Sequence, residues 1–311
     1  MSRARRRVTP RAPRWAARVV ACCLAASAFA VAQETARADV YLWRGPAGEL
    51  TYSSQRPSGN PPELRRLRTA PAFECDFSGP GLGCGFRLQA RSDQRAALEK
   101  MGRDGKRVLR LRTEPGDDHI VGSGAMERSD VYLSQEDTGC YEGREQWWQH
   151  SLLFPDDFAM PTWQMYVVFD FHGTGSGPQA NFHLNFAPQK DLTLPGNLIF
   201  RGYGGSAANN WGEYKSVIGP VRKNAWYDFT YYVRWSSGDD GFIEGWVNGV
   251  HKLSHHGPTL FRGEGCYLKL ANYHTPVCNP YPGCTGPAST VVHGPLRRED
   301  VVDSRPASEP R

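Results

Sequence analysis

The sequence has 311 residues, including 33 Gly, 23 Pro and 12% aromatic residues, with 40% hydrophobic and 22% charged residues. This composition excludes collagen, coiled coils, helical bundles and extended disorder, and it suits short strands and turns in one globular domain. The formal net charge of +5 invites a nucleic-acid-binding hypothesis, so the position of the charge along the chain decides its meaning.

The excess positive charge lies in residues 1–38, where eight arginines and one acidic residue give a net charge of +7. The whole chain has +5, so the remaining residues have a net charge of −2. An apolar stretch runs from Val19 to Ala32, and Ala36-Arg37-Ala38 forms a small-x-small cleavage site. This pattern predicts a cleaved export signal over 1–38, with cleavage after Ala32 as the alternative. No later stretch is long enough to span a membrane. We therefore expect a secreted or periplasmic protein with no nucleic-acid or membrane partner.

Six cysteines remain after the signal, an even number that is typical of disulfides in an oxidising compartment. Short separations favour the first two of three pairs, and elimination leaves the third: Cys75–Cys84, Cys278–Cys284 and Cys140–Cys266. A zinc site from Cys278, Cys284 and His274 or His293 is the alternative, but its spacing matches no tetrahedral template. We expect disulfides and no metal.

Residues 39–59 are predicted to form a small β-hairpin domain, because apolar and polar residues alternate on both sides of a turn at Gly45 to Gly48. The aromatic strand with Tyr41 and Trp43, the Gly turn and a second strand ending near Pro57 resemble a small N-terminal domain of many exported bacterial proteins. That resemblance implies no chemistry. Residues 60–72 contain Pro and Arg and are predicted to be a linker.

Strand patterns follow one another from residue 73 to residue 290. Residues 226–235 alternate, a Gly- and Asp-rich turn follows, and Phe242–Val247 with Asn248-Gly249 makes a second hairpin. Consecutive hairpins build antiparallel sheets, which must pack on each other because no long amphipathic helix is present. We predict an all-β fold, a concanavalin-A-like jelly-roll sandwich with the hairpin as an appendage, and a disordered charge-rich tail over 291–311.

The alternation of side chains divides each strand into two faces. In residues 163–172 the core face is assigned Trp163, Met165, Val167, Phe169 and Phe171, and the opposite face Tyr166, Val168, Asp170 and His172. The polar faces of three further strands carry Asn181, His183 and Asn185; Arg128, Asp130 and Tyr132; and Tyr267, Lys269 and Tyr273. If these faces share one curved sheet, they line a groove suited to a polar, anionic substrate. Taken singly, these residues are more typical of rim aromatics, a cross-strand ion pair and surface histidines than of a catalytic site.

Three of these segments resemble motifs of the jelly-roll polysaccharide lyases, the family that includes alginate lyases, glucuronan lyases and heparin-lyase-like proteins. Arg128-Ser-Asp-Val resembles its Arg-Ser/Thr-Glu-Leu motif, and Asp170-Phe-His172 stands in the place of its Gln-Ile/Val-His motif. Residues 267–273, Tyr-Leu-Lys-Leu-Ala-Asn-Tyr, resemble its Tyr-Phe-Lys-x-Gly-x-Tyr motif. With further matches in 146–152 and 226–249, the resemblance extends from Phe73 to about Tyr273.

The resemblance implies a lyase that cleaves a uronic-acid-containing polysaccharide by β-elimination, with no metal or organic cofactor. Arg128 would bind and neutralise the uronate carboxylate, His172 would act as base or charge stabiliser, and Tyr273 as general acid or as both acid and base. Positive and hydrogen-bonding groups are needed because negative charge grows on an already charged carboxylate. The remaining substrate-binding candidates are Lys269 as a subsite cation, Tyr267, Asp170, Asn181 and His183.

Asp170 departs from the family pattern, which usually has Gln there. A carboxylate beside a uronate repels it unless the carboxylate is protonated or orients His172 or Arg128. Asp130 in place of Glu and Ala271 in place of Gly are milder departures.

Two other functions remain as alternatives. A non-catalytic glycan-binding jelly roll would use stacking platforms such as Trp148, Tyr203 and Trp211. A glycoside hydrolase needs two carboxylates facing the groove, for which the candidates are Asp170 with Glu213 or Glu244.

Overall fold

Two antiparallel sheets face each other around the main hydrophobic core, which confirms the all-β, jelly-roll-type sandwich predicted from the sequence. The computed structural model describes residues 38–117, 126–159, 166–175, 180–187, 196–206, 212–275 and 285–306. All of them lie in one compact unit, Thr35–Arg311. Within these ranges no helix has the length and apolar character that crossing a membrane requires.

The larger sheet has ten strands in the described part of the chain. They are β1 (Ala38–Arg44), β2 (Leu50–Ser53), β3 (Arg65–Cys75), β5 (Ala96–Glu99), β6 (Val108–Thr113), β8 (Glu145–Leu153), β13 (Trp226–Arg234), β14 (Phe242–Val247), β15 (Val250–His256) and β17 (Ser289–Pro306). Their order is β15-β14-β13-β8-β17-β3-β1-β2, and β6 pairs with both β17 and β5.

The smaller sheet has seven strands in the same ranges. They are β4 (Arg87–Ala90), β7 (Glu127–Leu133), β9 (Tyr166–Gly173), β10 (Ala180–Phe186), β11 (Leu198–Gly204), β12 (Gly212–Gly219) and β16 (Cys266–His274). Their order is β12-β11-β10-β9-β16-β7-β4. Helical structure is limited, in these ranges, to α1 (Gln135–Thr138) and two 3-10 turns, Asp93–Arg95 and Arg103–Gly105.

Aromatic side chains from both sheets fill the space between them. Trp148 of β8 meets Phe171 of β9 edge to face, with ring centroids 5.1 Å apart, and Tyr231 of β13 meets Phe182 of β10 in the same way at 4.9 Å. All four are fully buried or nearly so. Burial of each such ring stabilises the fold by about 1.5–3 kcal/mol, with a further contribution from the edge-to-face geometry.

The N-terminal hairpin is part of the larger sheet, not the separate domain that was predicted over 39–59. β1 pairs with β2 on one side and with β3 on the other. The hairpin also covers the outer face of the sheet, where Tyr52 lies edge-on to Trp147 and Trp246, both at 5.1 Å, and the Trp246 indole donates to the Leu50 carbonyl at 2.8 Å. These apolar contacts form a second small core and explain why the hairpin is held on the sandwich.

The predicted linker over 60–72 is wrong from Arg65 onward, because Arg65–Cys75 forms β3 between β17 and β1. Leu67 and Thr69 are fully buried on this strand. Pro71, which suggested a linker, lies beside a register shift between β3 and β17, where a residue without an amide hydrogen is tolerated.

The predicted disordered tail over 291–311 is also wrong for residues 291–306, which belong to β17 in the middle of the larger sheet. Val291, Val292 and Leu296 are fully buried. The charged residues that suggested disorder have partners: Arg298 donates to the Asp137 carbonyl at 2.7 Å, and the Glu299 carboxylate accepts a hydrogen bond from Thr69. A central strand whose charged residues are paired has the same amino-acid composition as a disordered, solvated tail, so composition alone does not distinguish the two.

Two of the three predicted disulfides are present, Cys75–Cys84 and Cys140–Cys266. The third pair, Cys278 and Cys284, lies outside the described residues. The second bridge joins Cys140, two residues after the end of α1, to Cys266 at the start of β16, the residue before Tyr267. It therefore ties a strand of the smaller sheet to the connection that leads into β8.

Leu296→Ala tests whether β17 is a core strand. We expect it to lower the free energy of unfolding by about 2–5 kcal/mol, because the leucine is fully buried and alanine leaves a cavity. The matched control is Val302→Ala on the same strand, where the side chain is 52% exposed and a change within about 0.5 kcal/mol is expected. Equal, small effects in urea denaturation would show that the segment does not contribute to the core.

The two bridges should differ in their contribution to stability. Cys140–Cys266 closes a loop with a sequence separation of 126 and Cys75–Cys84 one of 9. The chain-entropy model predicts that replacing both cysteines by alanine lowers the free energy of unfolding by about 5 kcal/mol for Cys140–Cys266 and by about 3 kcal/mol for Cys75–Cys84. Thermal unfolding of both variants checks this order, and the reverse order would contradict the entropic account.

Candidate active site

One face of the smaller sheet packs on the core and the other carries the predicted polar residues; we call this second face the groove face. On β7, Val131 and Leu133 belong to the core, which leaves Arg128, Asp130 and Tyr132 on the groove face. On β10, Phe182, Leu184 and Phe186 are core residues, opposite Asn181, His183 and Asn185. The face assignments made from alternation hold for these two strands.

The assignment for β9 needs a correction. Tyr166 and Val168 are core residues together with Phe169 and Phe171, whereas Val167 is not. The pairing of β9 shifts register toward both neighbouring strands between Phe169 and Val167. An irregularity of this kind inverts the alternation on one side of it. Asp170 and His172 lie beyond it and stay on the groove face, while Trp163 and Met165 lie outside the described residues.

Strand register brings the candidates from four neighbouring strands together. His183 lies opposite Asp170, Asp170 opposite Lys269, and Lys269 opposite Tyr132. One row away, Tyr267 lies opposite His172. Residues paired across adjacent strands of an antiparallel sheet have Cβ atoms about 5 Å apart, so their side chains interact. The groove hypothesis required one shared sheet, and β10, β9, β16 and β7 are consecutive in it.

Arg128 and Tyr273 form a cross-strand pair at one end of this arrangement. The Arg128 Cζ lies 4.0 Å from the centroid of the Tyr273 ring, a close cation–π contact. Arg128 is only 6% exposed; its Nη1 lies 3.8 Å from Asp130 Oδ2, and its Nε has no hydrogen-bond partner among the described residues. A largely desolvated guanidinium with donors to spare is suited to bind an anion.

The Tyr273 phenol is half-buried beside this cation. Burial raises its pKa above the ordinary value, although Arg128 acts in the opposite direction. The phenol is therefore protonated near neutral pH and has a proton to donate.

His172 is oriented by its own backbone neighbourhood. Its Nδ1 lies 3.0 Å from the Gly173 carbonyl oxygen, and because a carbonyl only accepts, Nδ1 carries the hydrogen. Nε2 of the neutral ring then has a lone pair that can accept a proton. The ring lies against Tyr267, with centroids 5.3 Å apart.

Lys269 lies between two buried carboxylates on the groove face. Burial lowers the pKa of Lys269, but Asp170, Asp130 and Tyr267 act in the opposite direction and the net pKa is raised, so the amine is charged. Its Nζ lies 5.3 Å from the centroid of the Tyr267 ring. Burial raises the pKa of both Asp130 and Asp170, against the opposing effects of Lys269 and Arg128 and, for Asp170, first of His172.

Polar atoms without partners concentrate on this face. Burial, and then Arg201, lower the pKa of His183 to about 3, so its imidazole is neutral. The buried atoms with no hydrogen-bond partner among the described residues include Arg128 Nε, Asp130 Oδ2, Asp170 Oδ1, Asn181 Oδ1 and Nδ2, His183 Nε2 and Asn185 Oδ1. Buried polar groups in proteins are normally satisfied, so such a concentration indicates a face that is completed by a polar ligand or by water.

Arg201 of β11 is a groove-face residue that was not singled out from the sequence. It lies opposite His183, its Cζ lies 5.3 Å from the Tyr203 ring centroid, and its Nε lies 2.9 Å from Glu213 of β12. The signal was available, because Leu198 and Phe200 are core residues and the alternation then places Arg201 and Tyr203 on the other face.

The core side of β16 and β7 anchors the same strands. Asn272 donates from Nδ2 to the Leu111 and Ser289 carbonyls at 3.0 and 2.8 Å, and accepts from the Tyr166 hydroxyl at 2.8 Å. Beside it, His274 and Glu127 form a contact of 3.0 Å in which both side chains are 1% exposed. Tyr273 lies between Asn272 and His274 in sequence, so their contacts on the core side fix its position on the groove face.

The zinc alternative finds no support at its two histidines. His274 contacts Glu127, and His293 donates from Nε2 to the Ala271 carbonyl at 3.2 Å. In the described ranges no three His, Cys, Asp or Glu side chains are grouped so that they could hold a metal ion. Cys278 and Cys284 lie outside these ranges.

Two residues named for the alternative functions lie away from the groove. Trp148 is fully buried in the core and cannot act as a stacking platform, and Trp211 lies outside the described residues. Glu244 belongs to the larger sheet, where its carboxylate contacts His251 at 2.7 Å, so it cannot partner Asp170. A cleft of about 430 Å³ also lies elsewhere, between Tyr52 of the hairpin and Trp226 of the larger sheet.

Comparison with known families decides the classification. A family model described as polysaccharide lyase matches residues 85–290, which is more than half of the chain and includes Arg128, His172 and Tyr273. The chain belongs to the polysaccharide lyase family. It is therefore an enzyme of the lyase class. No curated protein matches the sequence.

Solved structures of lyases are similar to this chain. An endo-β-1,4-glucuronan lyase from the fungus Trichoderma reesei matches with a TM-score of 0.54 at 14% identity, over 74% of this chain and 95% of that one. A marine alginate lyase from Aplysia kurodai has a TM-score of 0.47 at 12% identity, over 75% and 99% of the two chains. An alginate lyase mutant in complex with alginate trisaccharide has 0.46 at 15%, over 69% and 88%. At such identities the glucuronan lyase match shows the fold alone.

Proposed function

We propose that this lyase cleaves a uronic-acid-containing polysaccharide by β-elimination on the groove face. The observation that carries the proposal is the contact of 4.0 Å between the buried Arg128 guanidinium and the Tyr273 ring, with His172 on the same face two strands away. These residues supply an anion-binding cation, a proton donor and a proton acceptor. The similar fold of an endo-β-1,4-glucuronan lyase adds support for a uronate substrate.

Arg128 binds the uronate carboxylate. Its planar fork matches a carboxylate, and burial strengthens the attraction because little water screens it. Removal of the proton next to the carboxylate spreads further negative charge onto the carboxylate oxygens. A cation fixed beside them stabilises that charge more in the transition state than in the ground state, which lowers the barrier.

His172 and Tyr273 move the two protons. His172 Nε2 takes the proton from the carbon next to the carboxylate, and that electron pair forms the carbon–carbon double bond as the glycosidic bond to the neighbouring carbon breaks. The Tyr273 hydroxyl gives its proton to the departing glycosidic oxygen. Because the pKa of Tyr273 is raised, the phenol stays protonated until negative charge develops on the departing glycosidic oxygen.

The remaining groove-face residues hold the polysaccharide. Lys269 supplies a second cation beside the Tyr267 ring, on which a sugar ring can stack. Asn181 and the neutral His183 offer uncharged hydrogen-bonding atoms to hydroxyl groups. Past Tyr267, a cavity of about 370 Å³ continues along the sheet toward Gln89 and Tyr132, which gives space for a further sugar unit.

We propose further that the enzyme acts outside the cytoplasm. The export signal predicted over 1–38 supports this, and so do the disulfides Cys75–Cys84 and Cys140–Cys266, because such bridges persist in oxidising compartments. The substrate is then an extracellular or periplasmic anionic polysaccharide.

The proposal is tested by following ultraviolet absorbance of an unsaturated uronate product with the mature protein and a panel of glucuronan, alginate and heparin. Wild type should produce the signal on at least one polymer. Tyr273→Phe and His172→Ala should each lower kcat by about 10²–10⁴-fold, the usual contribution of general acid–base groups.

Tyr141→Phe is the matched control, since this tyrosine is 39% exposed and lies outside the groove-face strands; its activity should equal that of wild type. Full activity in Tyr273→Phe would contradict the assigned role of the phenol. A polymer that is retained by the protein on an affinity gel without any product would favour the glycan-binding alternative.

A further inference from the structure

Asp170 is a buried carboxylate in the middle of the groove face. It is 6% exposed, and its Oδ1 is buried with no hydrogen-bond partner among the described residues. An ionised carboxylate normally accepts several hydrogen bonds when it is buried, because desolvation of the charge is costly. Asp170 therefore has an unfilled bonding position at the place where the polysaccharide is proposed to bind.

The neighbours of Asp170 form their close contacts with other groups. His172, on the same strand, binds the Gly173 carbonyl through Nδ1, and Arg128 of β7 contacts Asp130 instead. The other titratable or charged groups near it are Lys269 and Tyr267 on β16, Asp130 on β7 and His183 on β10. No ion pair within 4.0 Å joins Asp170 to Lys269 in the described residues, and His183 is neutral. His172, Lys269 and Arg128 still favour the ionised form of Asp170, but within the described ranges they act without a hydrogen bond or a close ion pair to its carboxylate, and burial outweighs them.

A uronate in this groove brings a second carboxylate to the same face. Two carboxylates close together in a site with little water cannot both remain ionised, so the pair retains one proton. Arg128 is the stronger partner for the substrate carboxylate, because its guanidinium is charged and has an unused donor. The proton therefore resides on Asp170, where burial already raises the pKa.

We propose that Asp170 takes up one proton from solvent when the uronate binds, and that the neutral carboxyl donates a hydrogen bond to the substrate. An O–H bond forms on Asp170 at binding and is broken when the product leaves, so no net proton is consumed. This inference rests on the proposed function and adds a proton-coupled recognition step to it. Asp170 acts as a specificity-determining residue, and His172 and Tyr273 keep their roles.

The coupling has a defined sign. Because the pKa of Asp170 is higher in the complex than in the unliganded enzyme, binding is fully favourable at low pH and weakens as pH rises between these two values. KM should then increase by up to about tenfold per pH unit over that window. An amide at this position donates a hydrogen bond at every pH, so Asp170→Asn should remove the increase and bind the uronate more tightly at alkaline pH.

The experiment has a kinetic arm and a calorimetric arm. In the first, KM and kcat for a glucuronate tetrasaccharide are measured against pH for wild type and Asp170→Asn. Asp228→Asn is the matched control, the same carboxylate-to-amide change on β13 of the larger sheet, where the side chain is 50% exposed and pairs with Arg103, and it should keep the wild-type increase of KM with pH. Effects on folding alone would change kcat or the yield of protein and would not remove the pH dependence of KM selectively.

In the second arm, the same tetrasaccharide is titrated into Tyr273→Phe in two buffers of different ionisation enthalpy, which reports proton uptake without turnover. We expect Tyr273→Phe to take up nearly one proton per bound tetrasaccharide. The double variant Tyr273→Phe/Asp170→Asn should take up none. Binding without uptake, or uptake that persists in the double variant, would overturn this inference and leave the lyase proposal standing. Absence of binding together with absence of product from wild type would overturn both.

Discussion

The contact between Arg128 and Tyr273 is the constraint on which the rest of the site depends. A guanidinium that is 6% exposed must be compensated, and its close partners among the described residues are the phenol ring of Tyr273 and Asp130. The register of β7 against β16 must therefore be held firmly. The buried contact of Glu127 with His274 and the three side-chain hydrogen bonds of Asn272 supply that support from the core side, and Cys140–Cys266 fixes the start of β16.

A sandwich fold makes this arrangement possible. One face of the smaller sheet is committed to the aromatic core, so the opposite face can carry charges and amides without weakening it. Each buried polar atom without a partner costs about 1–3 kcal/mol, and several lie together on the groove face. Their position on four adjacent strands is explained by binding of a polar, anionic chain, for which they are already oriented, and stability alone offers no reason for them.

Much of this could be predicted from the sequence because strand alternation is a local property. It assigned the faces of β7 and β10 correctly, since core residues alternate without interruption along each of these strands. It failed at Tyr166 and Val168, where a register shift in β9 depends on neighbouring strands. Charge composition failed for residues 291–306, because the partners of Arg298 and Glu299 are distant in sequence. Arg201 was missed although the same alternation would have found it.

The most direct test of the lyase mechanism is the reaction run in water enriched in heavy oxygen, with mass spectrometry of the new chain ends released from glucuronan. Early quenching by borohydride reduction prevents the new reducing ends from exchanging oxygen with the solvent. β-Elimination adds no water across the broken bond, so we predict products with no solvent oxygen and with one double bond in each new non-reducing end. Incorporation of one solvent oxygen for every bond broken would show hydrolysis, and it would contradict the roles proposed for Arg128, His172 and Tyr273.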